Sequence, residues 1–289
     1  MAKVIQGKEI ARRINDDVRS EIQRCSRKSG KKHLPRLVSI TVGHSEDAEI
    51  YMNMQKKTAE HIGIDFILCE LDASITQEVL IEEVRRLNED KTVTAIIVQK
   101  PLPEGISHDK IIAAIAPQKD AEGIHPYNLG RILRREADIL PCTPGAIMKI
   151  LDAEKVDLYG KEVVIIGHSA IVGKPLSLMM LNQMATTTVC HLGTAEKGDL
   201  AAHARRADIL VVAVGRPEMV KGDWVSEGAA VIDVGINKTG DRIVGDVCFP
   251  EVSKKASIIT PVPGGVGPVT VSILMRNVSR AYRSQNVQI

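Results

Sequence analysis

Over residues 8–25, apolar side chains recur every fourth position, at Ile10, Ile14, Val18 and Ile22, with charged residues between them. That period predicts a surface helix with one buried stripe. The stretch RCSRKSGKKH that follows is basic and polar and reads as a solvated loop. The pattern then changes: LVSITVG (37–43) reads as a buried strand, a helix follows over about 47–61 and closes at Gly63, and DFILCEL (65–71) is a second strand. Ser74 with Gln77 three residues on is a capping-box pattern for a helix ending near Asn88. A third strand, TAIIVQK (94–100), is ended by Pro101 and Pro103. The second half repeats the alternation with strands at 162–167, 187–191, 209–215 and 229–236 and helical segments between the first three. Continuous Val/Ile runs separated by helices predict a parallel sheet covered on both faces. PCTP (141–144) and PVPGGVGP (261–268) flank this half and read as interdomain hinges, and the helical period of 269–283 places a last helix that packs back on the first domain.

A chain of 289 residues corresponds to about two domains. A hydrophobic content of 44% excludes disorder, and a net charge of +2 gives no field that selects nucleic acid or membrane. Aromatics at 2% leave too few rings for a base-stacking platform. Cys25, Cys69, Cys142, Cys190 and Cys248 are far apart with no C-x-x-C pair, which reads as reduced thiols in a reducing compartment. The histidines and cysteines lack metal-ligand spacing, so no metal site is expected. No apolar h-region opens the chain and no uncharged run is long enough for a bilayer, so a soluble, cytoplasmic protein is expected.

The segment GHSAIVG (167–173) lies between a strong strand and a helix, where glycine lets the backbone approach a pyrophosphate and the helix N-terminus supplies amide donors. Its spacing, G-x-S-x-x-x-G, is not the generic dinucleotide fingerprint. It is not a P-loop either, since five residues precede G-K and Pro175 replaces the hydroxyl; nor is it a nucleophile elbow, since Ile171 stands where glycine is needed. A plain strand–helix turn is the alternative to a nucleotide site. The next strand ends Cys190-His191-Leu192, giving neither an acid for a ribose hydroxyl nor a strong cation for a ribose phosphate; His168 and His191 offer partial charge. The choice between NAD and NADP stays open on these residues. Tyr51 and Gln55 fall on one helical face, Gln99 lies at the C-terminal end of a strand, and Glu122 sits in the turn-like KDAEG. Each has a plain alternative as a surface polar residue. Pro263 and Gly264 belong to a rigid proline–glycine segment suited to contact with a planar ligand, with a domain linker as the alternative.

In order along the chain, VQKPLP, KDAEGIHPYNLGR, PCTPGAIMKIL, GHSAIVGKP, VIDVGIN, GDV and TPVPGGVGP resemble the motifs of the methylenetetrahydrofolate dehydrogenase/cyclohydrolase family, across nearly the whole length. The resemblance implies a two-domain α/β protein. Residues 1–143 and 270–289 would form a folate-binding catalytic domain with a parallel sheet, and 144–269 a Rossmann-like NAD(P)-binding domain. It also implies a cleft holding folate against nicotinamide and a homodimer paired through the nucleotide domains. Thr143, Gly167, His168, Ser169, Ile171, Leu192, Ile236 and Thr270 would touch the cofactor; Tyr51, Gln99, Glu122, Pro263 and Gly264 would line the folate pocket.

The departures cluster at that pocket. The family pattern is Tyr-x-x-x-Lys, its lysine moving the proton in the cyclohydrolase step; here that position is Gln55, and an amide does not titrate near neutral pH. Lys56 and Lys57 point elsewhere, since each residue turns the helix by about 100°. The family's pterin-anchoring aspartate is Glu122, a serine two residues before the tyrosine is Glu49, and the leucine of VQLPLP is Lys100. GRS has become GHS and a frequent serine is Leu192, which removes groups that hold an NADP phosphate and tilts the cofactor toward NAD. Hydride transfer needs alignment and no proton acceptor, whereas hydrolysis of the methenyl product needs an activated water. The expectation is therefore a methylenetetrahydrofolate dehydrogenase with weak or lost cyclohydrolase activity. The alternatives are a bifunctional enzyme using Lys100 as relocated base with Glu49 as its charge partner, a non-catalytic folate- or dinucleotide-binding paralogue, and an oxidoreductase for another pterin adduct.

Overall fold

A computed structural model describes residues 1–29 and 34–286. The chain divides into two compact units, Arg12–Cys142 with Val271–Ile289, called here the first unit, and Met1–Ala11 with Thr143–Thr270, the second. The eleven amino-terminal residues, expected in the first domain, lie in the second unit because Lys3–Val4 pairs with Ile258–Ile259. One unit boundary, Cys142/Thr143, falls within PCTP (141–144); another, Thr270/Val271, lies just beyond PVPGGVGP, inside helix Val266–Asn286, and the third, Ala11/Arg12, lies inside helix Gly7–Ser29.

The first unit is built on a three-stranded parallel sheet ordered Asp65–Leu71, Arg36–Val42, Ala95–Val98. Val38, Ile40 and Ile96 pack with Leu80, Val84 and Ile111 of the helices Gln77–Glu89 and His108–Ala114. The cap of Gln77–Glu89 differs from the capping box expected: Thr76 accepts from the Val79 amide, while Ser74 is turned back to Asp72, its backbone nitrogen donating at 2.8 Å. The basic stretch is not a loop where it is described, since helix Gly7–Ser29 runs through Arg24; Arg27 and Lys28 occupy its last turn, where positive charge complements the helix dipole. The rest of that stretch, residues 30–33, lies outside the described residues. The last helix packs on the first through Glu21, which accepts from Arg283 Nη1 at 3.1 Å and Ser279 Oγ at 3.2 Å.

The second unit carries a six-stranded parallel sheet ordered Lys3–Val4, Ile258–Ile259, Ala230–Asp233, Ile209–Val212, Glu162–Ile166, Thr186–Cys190. Val164, Ile166, Leu210, Val212 and Val231 lie at its centre, and this gives the α/β fold expected. Two strands are shorter than expected because carboxylates take their continuing amides. Asp246 accepts from the backbone nitrogens of Val214, Gly215 and Arg216, and Asp233 accepts from Gly235. Among the described residues, the five cysteines are free, no cluster could hold a metal, and no helix is long and apolar enough to cross a membrane.

Candidate active site

In the second unit, strand Glu162–Ile166 runs into Gly167, at φ 127°, where a Cβ would lie 2.3 Å from the Ala213 carbonyl oxygen. Gly173 opens helix Gly173–Leu181, and a Cβ there would lie 1.9 Å from the Gly167 carbonyl. The seven-residue spacing therefore marks a real close approach, with the first turn of the helix seated on the glycine that ends the strand. Ser169 Oγ accepts from the Val172 amide at 3.1 Å, and His168, Ser169 and Ile171 stay exposed. The His168 and His191 rings lie 5.4 Å apart, tilted by 57°. Leu192 and Ile236, just beyond two of the parallel strands, are 60% and 70% exposed, offering apolar surface where ligands of such sheets bind. Thr143 is half-buried, while Thr270 is buried with its hydroxyl committed to the Val266 carbonyl of its own helix at 3.2 Å. Pro263 is exposed and Gly264 has φ 104°; the segment is fastened by the Gly7 amide, which donates to Gly264 O at 3.0 Å.

Two buried aspartates missed in the sequence hold this crest. Asp246 collects the three amides after strand Ile209–Val212 together with Asn237 Nδ2 at 2.9 Å. Asp233 receives the amides of Gly235, Asp246 and Val247; burial pushes its carboxyl up to about 7 against the pull of those donors. Gly235 and Gly245 leave room for them, since a Cβ at either would lie 2.2 Å from Asp246 Cγ or 1.8 Å from Asp233 Oδ2. The signal was an acid at the end of an apolar run, VID, and another in GDV.

In the first unit, Tyr51, Gln55, Gln99 and Glu122 come together. Gln55 is fully buried and its Oε1 accepts from Gln99 Nε2 at 2.9 Å; the same nitrogen donates to Ser39 Oγ at 2.9 Å. Gln55 Nε2 is buried and makes no hydrogen bond. Ser39 is a buried polar residue inside the apolar run LVSITV, a pattern that by itself reads only as a strand. Tyr51 lies one turn before Gln55; burial, then the nearby Cys142 thiol and Glu122, raise its phenol above the ordinary range, with the Gln55 amide acting the other way.

Glu122 is presented by a loop built on Asp120, which is 1% exposed and accepts from the amides of Glu122, Gly123 and His125 and from Asn128 Nδ2. Asn277 ties this loop to the last helix, donating to Ala121 O at 2.9 Å and Leu140 O at 2.8 Å. Glu122 Oε2 is buried without a partner. Burial, then Asp120, push its carboxyl up to about 8, with Lys100 opposing. Lys100 is exposed and also acts on His108, whose ring is pushed down to about 4 by burial, then by that ammonium. Glu49 is not its partner: it lines a separate groove of about 210 Å³ with His44 and Lys56, and among the described residues no ion pair joins it to Lys100. A groove of about 1200 Å³ near Arg36, Asp65 and Thr94 lies at the opposite, N-terminal ends of the strands and contains none of these site residues.

A glycine-crested parallel sheet in one unit and a buried amide–carboxyl cluster in the other define the class: an α/β protein of the dinucleotide-dependent enzyme type. Residues 5–122 match the tetrahydrofolate dehydrogenase/cyclohydrolase catalytic domain, and residues 141–286 match the NAD(P)-binding domain of the same family. The bifunctional protein FolD of Geotalea daltonii is 44% identical over 278 residues, 96% of this chain and 97% of that protein. The bifunctional FolD structure from Campylobacter jejuni superposes with a TM-score of 0.93 at 40% identity, covering 98% and 99% of the two chains. The Trypanosoma brucei methylenetetrahydrofolate dehydrogenase–cyclohydrolase, solved with NADP and an inhibitor, gives a TM-score of 0.94 at 39% identity, with 99% of each chain covered. The chain belongs to the tetrahydrofolate dehydrogenase/cyclohydrolase family.

Proposed function

We propose that this protein is a methylenetetrahydrofolate dehydrogenase whose cyclohydrolase activity is weak or lost, and the observation that carries this is Gln55. A fully buried carboxamide, held by Gln99, stands where the proton-transfer lysine is expected, and it has no titrating group to activate water. The nicotinamide cofactor supplies the hydride acceptor: one C–H bond of the methylene bridge breaks with its electron pair, leaving a methenyl cation and no proton to place. The chain's own task in that step is alignment. Glu122 Oε2 and Gln55 Nε2, one acceptor and one donor left unpartnered in the same pocket, fit a ligand edge that offers both kinds of group. Tyr51 and Gln99 complete that pocket.

The close approach of Gly167 and Gly173, which a Cβ at either would block, fits a dinucleotide pyrophosphate. Gly167, His168 and Ser169 would hold it, Ile171, Leu192 and Ile236 would face its rings, and Thr143 and Thr270 would flank it. His168 and Leu192 give no permanent charge or hydroxyl for a ribose phosphate, which favours NAD. The protein works as a homodimer in the cytoplasm in this reading.

Mixing the protein with methylenetetrahydrofolate and either cofactor, while following reduced nicotinamide and methenyl product together, tests this. Both should rise in step and the methenyl signal should persist for its spontaneous lifetime. The Lys100 charge acting on Glu122 favours a second reading, with Lys100 as relocated base. Accelerated methenyl decay abolished by Lys100→Met would establish that reading; no turnover with either cofactor, despite tight binding, would indicate a non-catalytic paralogue or another pterin substrate.

Glu122 makes the folate step sensitive to pH. Its carboxyl, raised to about 8, is largely protonated at neutral pH and gains its full acceptor capacity only above that value. KM for the folate is expected to fall as pH rises from about 7 to 9, and Glu122→Gln should flatten the profile. An unchanged slope in that variant would remove Glu122 from the site.

A further inference from the structure

We infer that the first unit holds a second ligand site, a groove for a polyphosphate anion formed by Arg24, Arg27, Arg276 and Arg280. The groove encloses about 630 Å³ along the helices Gly7–Ser29 and Val266–Asn286, well beyond a single phosphate and within the range of small-molecule sites. Arg24 and Arg27 are three apart on one helix, and Arg276 and Arg280 four apart on the other, so each pair shares a face. Like charges at these spacings destabilise a helix, and here two such pairs line one groove.

The carboxylates nearby do not neutralise them. Glu21 is taken by Arg283 and Ser279, and Asp138 is shared between Arg280, at 3.3 Å, and Arg283, at 4.0 Å. Among the described residues, Arg24, Arg27 and Arg276 enter no ion pair; Asp17 is the remaining acid on the lining. Burial, then the charge of Arg276, lower the pKa of Arg280 against the pull of Asp138 and Glu21. Guanidinium forks bind phosphate oxygens in pairs, and two spaced pairs suit successive phosphates better than one compact anion. This uses the basic segment after Ile22 that the dehydrogenase reading leaves idle.

The site is also wired to Glu122. Arg280 donates to the carbonyl and carboxylate of Asp138, and Asn277, three residues earlier, holds Leu140 and Ala121 beside the Glu122 loop. An anion that draws Arg280 from Asp138 therefore acts on the helix that supports that loop.

Calorimetric titration of the full chain with inorganic tripolyphosphate, ATP and orthophosphate tests the proposal. Tripolyphosphate should saturate one site and bind more tightly than orthophosphate. Arg276→Glu should weaken it about tenfold or more, as expected for a lost charge-assisted contact. The exposed pair Arg24→Gln/Arg27→Gln gives a variant with intact fold and should weaken it similarly, while NAD(P) binding to the second unit stays unchanged. Equal affinity for ATP and tripolyphosphate assigns recognition to the phosphate chain, and tighter ATP binding adds the nucleoside. Absence of saturable binding, or tripolyphosphate affinity unchanged in both folded variants, would overturn the site.

Discussion

The Gln55→Lys protein is expected to hydrolyse methenyltetrahydrofolate about 10²-fold or more faster than its parent, the scale of a restored general base, with hydride transfer largely unchanged. The position suits the change. It follows Tyr51 by one helical turn, is fully buried, and already faces Gln99. Burial favours the neutral amine, so a lysine there would be shifted toward the range in which it accepts a proton. The Gln99 carboxamide, which now donates to Gln55 Oε1, needs only to present its oxygen to receive the new donor. Decay of the methenyl absorbance is the readout. A folded variant with parental decay and intact dehydrogenase activity would show that Gln55 is not what sets the rate of hydrolysis.

The second large effect belongs to Asp246. Removing its carboxylate by Asp246→Ala leaves the amides of Val214, Gly215 and Arg216 without their acceptor and the Asn237 side chain with only its longer bond to Val244 O. Unpartnered buried donors cost about 1–3 kcal/mol each, and with partial access to water the sum is expected at about 3–5 kcal/mol, near the upper end for one substitution. Thermal melting should show the loss, and NAD(P) affinity should fall with it, because the same carboxylate shapes the loops at the sheet's C-terminal crest. Asp246→Asn should lie between parent and alanine, since it retains one acceptor oxygen. A melting temperature within about 2 °C of the parent for Asp246→Ala would contradict the role, since even 1 kcal/mol moves it by that much.

The apolar runs made both sheets legible, because a parallel strand covered on two faces has no choice but continuous Val and Ile. Their ends were not, since a strand stops where its amides find another acceptor, and Asp246 lies more than thirty residues beyond the strand it curtails. The cap shows the same limit at short range: Ser74 has the right spacing, but Asp72 captures it and Thr76 does the capping. In the pocket, Tyr51, Gln55, Gln99 and Glu122 were readable as departures from or matches to a family pattern. Ser39, Asp120 and Asn277 were not, because their function is to hold the others and nothing local in the sequence shows whom a buried polar side chain will meet. Glu49 illustrates the converse, a conspicuous substitution whose side chain lines another groove.

Lys3 and Val4 add the edge strand to a sheet whose neighbouring strand is Ile258–Ile259. On the ribosome these partners are made about 250 residues apart, so the earlier segment waits for the later one. The second unit thus acquires its final strand late in synthesis, and a truncated translation product offers the exposed edge of Ala230–Asp233 to whatever strand is nearby. Trimming or fusing the chain beside Lys3 would disturb the six-stranded sheet of the unit that carries the NAD(P)-binding domain match.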